Sequence, residues 1–371
     1  MTDTGLQDVT VTHRGGTAAL RGVTIDIADG ELLVVLGPSG SGKSTLLRAL
    51  AGLTPVTSGR VFVRGKDVTR VAPRRRNVAM VFESDALVPF LDVAQNMQWG
   101  LRARKVPRPE ADGRVSAQAE GLRLEGLLGR LPPTLSAGER GMTGIGRALV
   151  QRPDVFLLDE PLAHLDAAER GRVRRQIVTV VSELRITTVY STHDQHDAMA
   201  MADRIAVLRA GEIVQLDTPR RLYRRPVNLF VAEFLGSPPL GLLRAQLVAS
   251  QGSAGFQVGT RVLPRWAPVP AELGERVGTE VLVGIRAEDV RDAALGSEPQ
   301  GVTLPAIVSG VERRNRDVVV TATAEAAGEL RSVFAGRSAV QPGDAVELAV
   351  DATRAHVFDP DTGVALWHPQ D

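Results

Sequence analysis

Cysteine is absent from this chain of 371 residues, which excludes disulfides and thiolate metal sites and agrees with a reducing compartment. Lysine is almost as scarce. Lys43, Lys66 and Lys105 are the only three among 44 basic residues, so a lysine inside a motif does not fall there by drift. Charge of one sign is missing too: the formal net charge is +1, which offers no electrostatic basis for a nucleic-acid partner. Long apolar runs are missing as well. No stretch of about 18 uncharged apolar residues occurs, and Met1-Thr2-Asp3-Thr4 lacks the basic and apolar regions of a signal peptide, so the expectation is a chain that neither spans a membrane nor is secreted. What remains is 43% hydrophobic and 23% charged, enough for real cores in two or three domains. The basic stretches Arg74-Arg75-Arg76 and 102–114 read as solvated faces.

The most informative segment is Gly37-Pro38-Ser39-Gly40-Ser41-Gly42-Lys43-Ser44-Thr45. It follows the apolar run 32–36 and opens onto the helix-like stretch 46–50. Glycines let successive backbone N–H groups turn inward around a phosphate, and the helix N-terminus behind them favours negative charge. In such a loop Lys43 reaches the terminal phosphates of a nucleotide and Ser44 a magnesium ion, making a nucleoside triphosphate with Mg2+ the expected ligand.

From residue 5 to about 235, β-type runs alternate with longer amphipathic segments, the pattern of a mostly parallel sheet covered by helices. The expected strands are 32–36, 78–82, 155–158, 188–191 and 205–208. Helical spacing broken by Gly and Pro between about 86 and 150 predicts an inserted helical subdomain. Gly236-Ser237-Pro238-Pro239-Leu240-Gly241 then punctuates the chain. Short β-type runs at 281–285, 318–321, 345–350 and 355–358 predict an all-β C-terminal domain of small-barrel type. The expected domains are therefore 1–235 and 236–371.

Two further segments complete a nucleotide site. Val155-Phe156-Leu157-Leu158-Asp159-Glu160 is a buried-strand run ending in two acids, which presents Asp159 to a magnesium shell and Glu160 to an attacking water. Tyr190-Ser191-Thr192-His193-Asp194 places His193 past another apolar strand, at the edge where open α/β sheets bind ligands.

Leu135-Ser136-Ala137-Gly138-Glu139-Arg140, ahead of Asp159-Glu160, resembles the LSGGQ signature of ATP-binding cassette (ABC) ATPases. Phe82-Glu83 sits where that family has its Q-loop, Leu165-Asp166 matches the D-loop and His193 the switch histidine. The resemblance extends along the chain. Val93-Ala94-Gln95-Asn96-Met97 and Phe230-Val231-Ala232-Glu233-Phe234-Leu235-Gly236 read like the carbohydrate-importer branch, and Val283-Gly284-Ile285-Arg286-Ala287-Glu288 with His356-Val357-Phe358-Asp359 like its OB-type (TOBE-like) regulatory domain.

The resemblance implies an α/β P-loop cassette and a head-to-tail pair of ATPase subunits, with a homodimer favoured. Ser136 and Gly138 would then meet the ATP held by the partner, and Asp166 of the D-loop would belong to the nucleotide site. It also implies two membrane permeases facing the segment 84–97, an extracytoplasmic solute-binding protein, and a peripheral place on the cytoplasmic face of the membrane. The implied activity is ATP hydrolysis coupled to uptake of a carbohydrate. The alternatives are another solute, such as glycerol phosphate, polyamine, sulfate or iron, and a weakly hydrolysing regulatory ABC protein.

The chain departs from the family pattern at Glu83, where a Gln that can ligate magnesium and orient water is usual, and at Ala137 and Glu139 of the signature. An acid at 83 beside a triphosphate predicts slower hydrolysis or a changed metal requirement. His13 stands where these ATPases stack an aromatic ring on adenine; an unrelated surface histidine is the competing reading.

Overall fold

The computed structural model describes residues 3–13, 15–84, 86–250, 253–266, 270–293, 302–314, 317–324, 328–335 and 339–369. They form two compact units, Met1–Pro219 and Arg220–Asp371.

The first unit is built on a six-stranded sheet in the order β10-β9-β3-β8-β7-β6. Its strands are β3 (Leu32–Leu36), β6 (Val78–Val81), β7 (Val155–Asp159), β8 (Thr187–Thr192), β9 (Arg204–Arg209) and β10 (Glu212–Asp217). All pair in parallel except β10, which runs antiparallel to β9. Every residue of β3, β7 and β8 is buried, as expected of parallel strands covered on both faces. The expected strands are all present, each within a residue of the predicted limits. The register Leu36↔Thr192 and Asp159↔Ser191 brings the C-terminal ends of β3, β7 and β8 to one edge.

A second sheet, β2-β1-β4-β5, is antiparallel, and the apolar/helical alternation of the sequence did not announce it. It comprises β1 (Thr4–Thr12), β2 (Ala18–Ile27), β4 (Ser58–Val63) and β5 (Lys66–Asp67). Its inward residues Leu6, Val9, Leu20, Ile25 and Val61 share one core with Leu46, Leu47 and Leu50 of helix α1 (Lys43–Ala51). Arg76 is also part of this core rather than of a solvated face. Its buried guanidinium donates to the carbonyls of Ala49 and Leu50 at the end of α1 and to Val71 and Thr69. A helix C-terminus presents unsatisfied carbonyls and negative partial charge, and an arginine answers both.

The helical insertion is present as α2 (Val93–Ala103), α3 (Arg108–Leu122) and α4 (Ala137–Leu149). Asp92 and Gln95 close a capping box on α2, as Ser136 and Glu139 do on α4. The cassette continues through α5 (Ala167–Leu184), capped by Asp166, and α6 (Gln195–Met201), capped by Asp194.

The second unit is all-β apart from short helices. Its eleven-stranded sheet surrounds a core that includes Leu243, Phe256, Val283, Leu304, Val320, Leu348 and Val357. The helices Pro219–Arg224 and Leu229–Phe234 are tied into it by Arg286. This buried guanidinium lies 3.9 Å over the Tyr223 ring and donates to the carbonyls of Ala232 and Tyr223, while the Tyr223 hydroxyl donates to Glu288 at 2.5 Å. Ala232 packs with Leu240 and Phe358. Sequence positions 220–235, read as the end of the first domain, thus spend their contacts on the second unit.

Candidate functional site

The chain turns from β3 into α1 through residues 37–45. Gly42 holds φ at 109°, and a Cβ there would meet the Ala19 carbonyl at 2.5 Å. A Cβ on Gly37 would lie 2.3 Å from the carbonyl of Leu208 on β9, so both positions need glycine for conformation or space. The buried Ser41 hydroxyl has no hydrogen-bond partner among the described residues, an oxygen still to be satisfied at the loop. Lys43 is 4% exposed; its Nζ donates to the carbonyls of Gly37 and Pro38 at 2.9 and 3.1 Å.

The acids of β7 meet this loop. Asp159 accepts a hydrogen bond from the Ser44 hydroxyl at 2.8 Å. Glu160 lies 3.2 Å from Lys43 Nζ through one oxygen and 2.8 Å from His193 Nδ1 through the other. Burial by itself would raise the Glu160 carboxyl, but the hydrogen bond from His193 and the Lys43 charge outweigh it and hold the group below the ordinary carboxylate range. Glu160 is therefore ionised at neutral pH. Its backbone is left-handed, φ 46°, an uncommon conformation for a side-chain-bearing residue that concentrates at functional sites.

Around the loop opens a cleft of about 640 Å3, a volume suited to a nucleotide. It is lined by Ser39, Gly40, Gly42, Lys43, Ser44 and Thr45, by Glu83 and Glu160, and by His13 with Thr17, Ala18 and Ala19 from the β1–β2 hairpin. The structure thus brings His13, the loop, Glu83 and Glu160 to one space. Ser136, Gly138 and Asp166 do not line it. Ser136 and Glu139 exchange capping hydrogen bonds of 3.2 and 2.7 Å at the start of α4, so the acid in the signature is half of a capping box. Ala137 occupies the first turn of that helix, where an alanine is at home. Gly138 is buried, and a Cβ there would press on Arg172 and Val173 at 3.2 and 3.3 Å.

Three residues at this edge escaped the sequence reading. Ser191, fully buried, bonds to Asp159 and to the Glu160 amide. Arg170 of α5 donates to Asp194 at 2.8 Å and to the Leu165 carbonyl at 3.3 Å, joining the segment before Asp166 to the one after His193. His164 lies 3.8 Å from Glu83. Ser191 is one of several hydroxyl-bearing residues in Thr187-Thr188-Val189-Tyr190-Ser191-Thr192, so nothing local singles it out, and nothing local distinguishes the other two.

A glycine-rich strand–loop–helix with a buried lysine, a serine–aspartate pair and an ionised glutamate at one sheet edge defines a P-loop nucleoside triphosphatase. Comparison with known proteins narrows the class. Residues 20–163 match the ABC transporter family and residues 283–358 the TOBE domain. A trehalose/maltose import ATP-binding protein from Thermococcus litoralis is 40% identical over 362 residues, covering 95% of this chain and 96% of that protein. An sn-glycerol-3-phosphate import ATP-binding protein from Cereibacter sphaeroides is 40% identical over 366 residues, 99% of this chain and 100% of that protein. A dimeric ATP-binding cassette, solved in a post-hydrolysis state with ADP and phosphate, superposes with a TM-score of 0.53 at 28% identity over 58% of this chain and 99% of that chain. The chain belongs to the ABC family of import ATP-binding proteins, and it is an ATP-binding ATPase.

Proposed function

We propose that this chain is the ATP-hydrolysing subunit of a carbohydrate importer, acting as a homodimer. The observation that carries the hydrolysis is the linked set Lys43–Glu160–His193 beside Ser44–Asp159, and the carbohydrate reading is supported by the likeness to a trehalose/maltose import ATP-binding protein. In this reading the amides of 37–45 and Lys43 bind the phosphates of ATP. Glu160 is the general base that takes a proton from water, and His193 holds the base in place through its second oxygen. His13 stacks on adenine at the cleft wall. A homodimer repeats Glu83, Ala137 and Glu139 in both composite sites, where Ser136, Gly138 and Asp166 of each copy meet the ATP held by the other.

Magnesium fits the donors present. Ser44 and Asp159 offer hard oxygens at one point, and no group of three or more His, Asp or Glu side chains among the described residues could hold a metal alone. That is the usual situation for Mg2+, which takes one or two protein ligands and completes its shell with phosphates and water. Ser44, Asp159 and Glu83 would hold it. When bound it neutralises charge on the phosphates.

The partners we infer are two permeases and, through them, an extracytoplasmic binding protein. No helix among the described residues is long and apolar enough to cross a membrane, which fits a peripheral subunit carried on permeases. Phe90 and Trp99, 76% and 52% exposed, stand in and just beyond the segment 84–97 expected to face them. In functional terms residues 1–219 form the body of the cassette, 220–235 the connection packed within the second unit, and 236–371 the regulatory domain.

Two measurements test this. The purified chain should hydrolyse ATP, and E160Q should lower kcat by about 10²- to 10⁴-fold while still binding ATP. Deleting the gene should abolish uptake of a carbohydrate in the parent organism. Undiminished uptake of every sugar tried, with loss of glycerol phosphate uptake, would move the substrate to that class.

A further inference from the structure

We infer that Ser191 is a positioning residue that sets both acids of the site, Asp159 through its side chain and Glu160 through its main chain. The inference rests on the reading that Ser44 and Asp159 bind Mg2+ together.

Ser191 lies in β8, where all six residues are buried, and it is itself inaccessible to solvent. A hydroxyl in such a strand costs free energy unless it is fully bonded. Here one hydroxyl serves two neighbours. Its proton goes to Asp159 Oδ1 at 2.8 Å, and its oxygen accepts from the Glu160 amide at 3.2 Å. The register Asp159↔Ser191 between β7 and β8 makes both bonds possible.

Asp159 Oδ1 therefore accepts from two hydroxyls, Ser44 and Ser191, each at 2.8 Å. They are not equivalent. Ser44 belongs to the phosphate loop and must turn a lone pair toward the cation when nucleotide arrives, whereas Ser191 faces only protein. Ser191 is thus the donor that holds the carboxylate still while Ser44 changes its role. The Glu160 amide is bonded to both the carbonyl and the hydroxyl of Ser191, at 3.2 Å each, at the point where the chain enters the left-handed conformation that aims the Glu160 side chain at Lys43 and His193. Preorganisation of this kind decides whether a charged group sits within a fraction of an ångström of its working position.

The test uses the full chain with ATP and Mn2+ as a spectroscopic substitute for Mg2+. Free and bound Mn2+ are followed by electron paramagnetic resonance, alongside ATP binding in EDTA, kcat and the melting temperature. S191A and S191C lose the strong donor, and S191C keeps the size; S191T keeps the hydroxyl. In S191A and S191C we expect the Mn2+ dissociation constant to rise about ten- to a hundredfold, the loss of one hydrogen bond to a charged group, with metal-free ATP binding unchanged and kcat reduced. S191T should stay close to the parent. Unchanged Mn2+ affinity in S191A and S191C, with only the melting temperature lowered, overturns the assignment and leaves a structural hydroxyl. D159N separates this from the parent reading: Mn2+ affinity lost in D159N but kept in S191A and S191C removes Ser191 alone, and affinity kept in D159N as well removes the metal reading itself.

Discussion

Glu160 sits between a buried ammonium and an imidazole, and each of its oxygens has one of them. That pairing leaves the carboxylate ionised with both oxygens engaged, which, for the base proposed above, favours orientation over basicity. Glu83 presents the opposite case. It is 58% exposed at the cleft, and its neighbour His164, 69% exposed, lies at 3.8 Å. A pair this exposed is worth at most about 1 kcal/mol, so His164 cannot silence the acid beside a triphosphate. We therefore expect E83Q to shift the Mg2+ dependence of hydrolysis by more than H164N does. The double variant should show a coupling below about 1 kcal/mol in a cycle built on Mg2+ half-saturation. A larger coupling would mean that the two side chains work as one unit.

At the scale of elements, helix ends and strand ends carry most of the chemistry. The loop 37–45 enters α1 with Gly42 at its N-cap and no side-chain cap, while Arg76 bonds the carbonyls at the far end. In the second unit, His356 on the strand His356–Phe358 faces His368, Nδ1 to Nδ1 at 3.0 Å. Burial pushes His356 down to about 3, helped by Arg286 and His368, and burial with Arg225 pushes His368 down to about 4. Both remain neutral when folded but charge near pH 6.5 when unfolded, so the unfolded chain gains protons as pH falls below that value. Each group then removes up to about 1.4 kcal/mol of stability per pH unit. Asp289 acts in the opposite sense. Burial raises it to about 6 against the pull of Arg354, so it adds stability as pH falls from about 6 toward 4. Two losses against one gain leave a net loss. The melting temperature of the second unit should fall between pH 7 and pH 5, and H368Q should flatten that fall; a flat profile in the parent chain would remove the account.

At the scale of the whole molecule, the cleft of one chain is lined by the phosphate loop, Glu83 and Glu160 but not by Ser136, Gly138 or Asp166. A head-to-tail pair predicts complementation. Chains carrying K43A and chains carrying S136R should each be nearly inactive, and mixing them should restore activity, because half of the sites in a mixed dimer combine an intact loop with an intact signature. No recovery on mixing would place the whole site within one chain. The same scale shows where a linear reading falls short. Residues 220–235 read as the tail of the first domain because the Gly- and Pro-rich punctuation comes only at 236–241, yet Arg286, far along the chain, bonds the carbonyls of Tyr223 and Ala232. Arg76 read as surface because it ends a run of three arginines, whereas its guanidinium fills the space at the end of α1.

By itself the sequence determined the phosphate loop, the strand that ends in Asp159 and Glu160, the strand before His193, the helical insertion and the β character of the C-terminal unit. Each of these is local: glycine spacing, unbroken apolar runs and helical periodicity act over a few residues and survive without knowledge of neighbours. Only tertiary structure decided that the Ser191 hydroxyl lies between the two acids, that Arg170 joins Leu165 to Asp194, that His164 approaches Glu83, and that residues 4–27 and 58–67 make a separate antiparallel sheet. These depend on strand register and on contacts between distant segments, where a shift of one residue turns a side chain to the other face, and no short pattern encodes that choice.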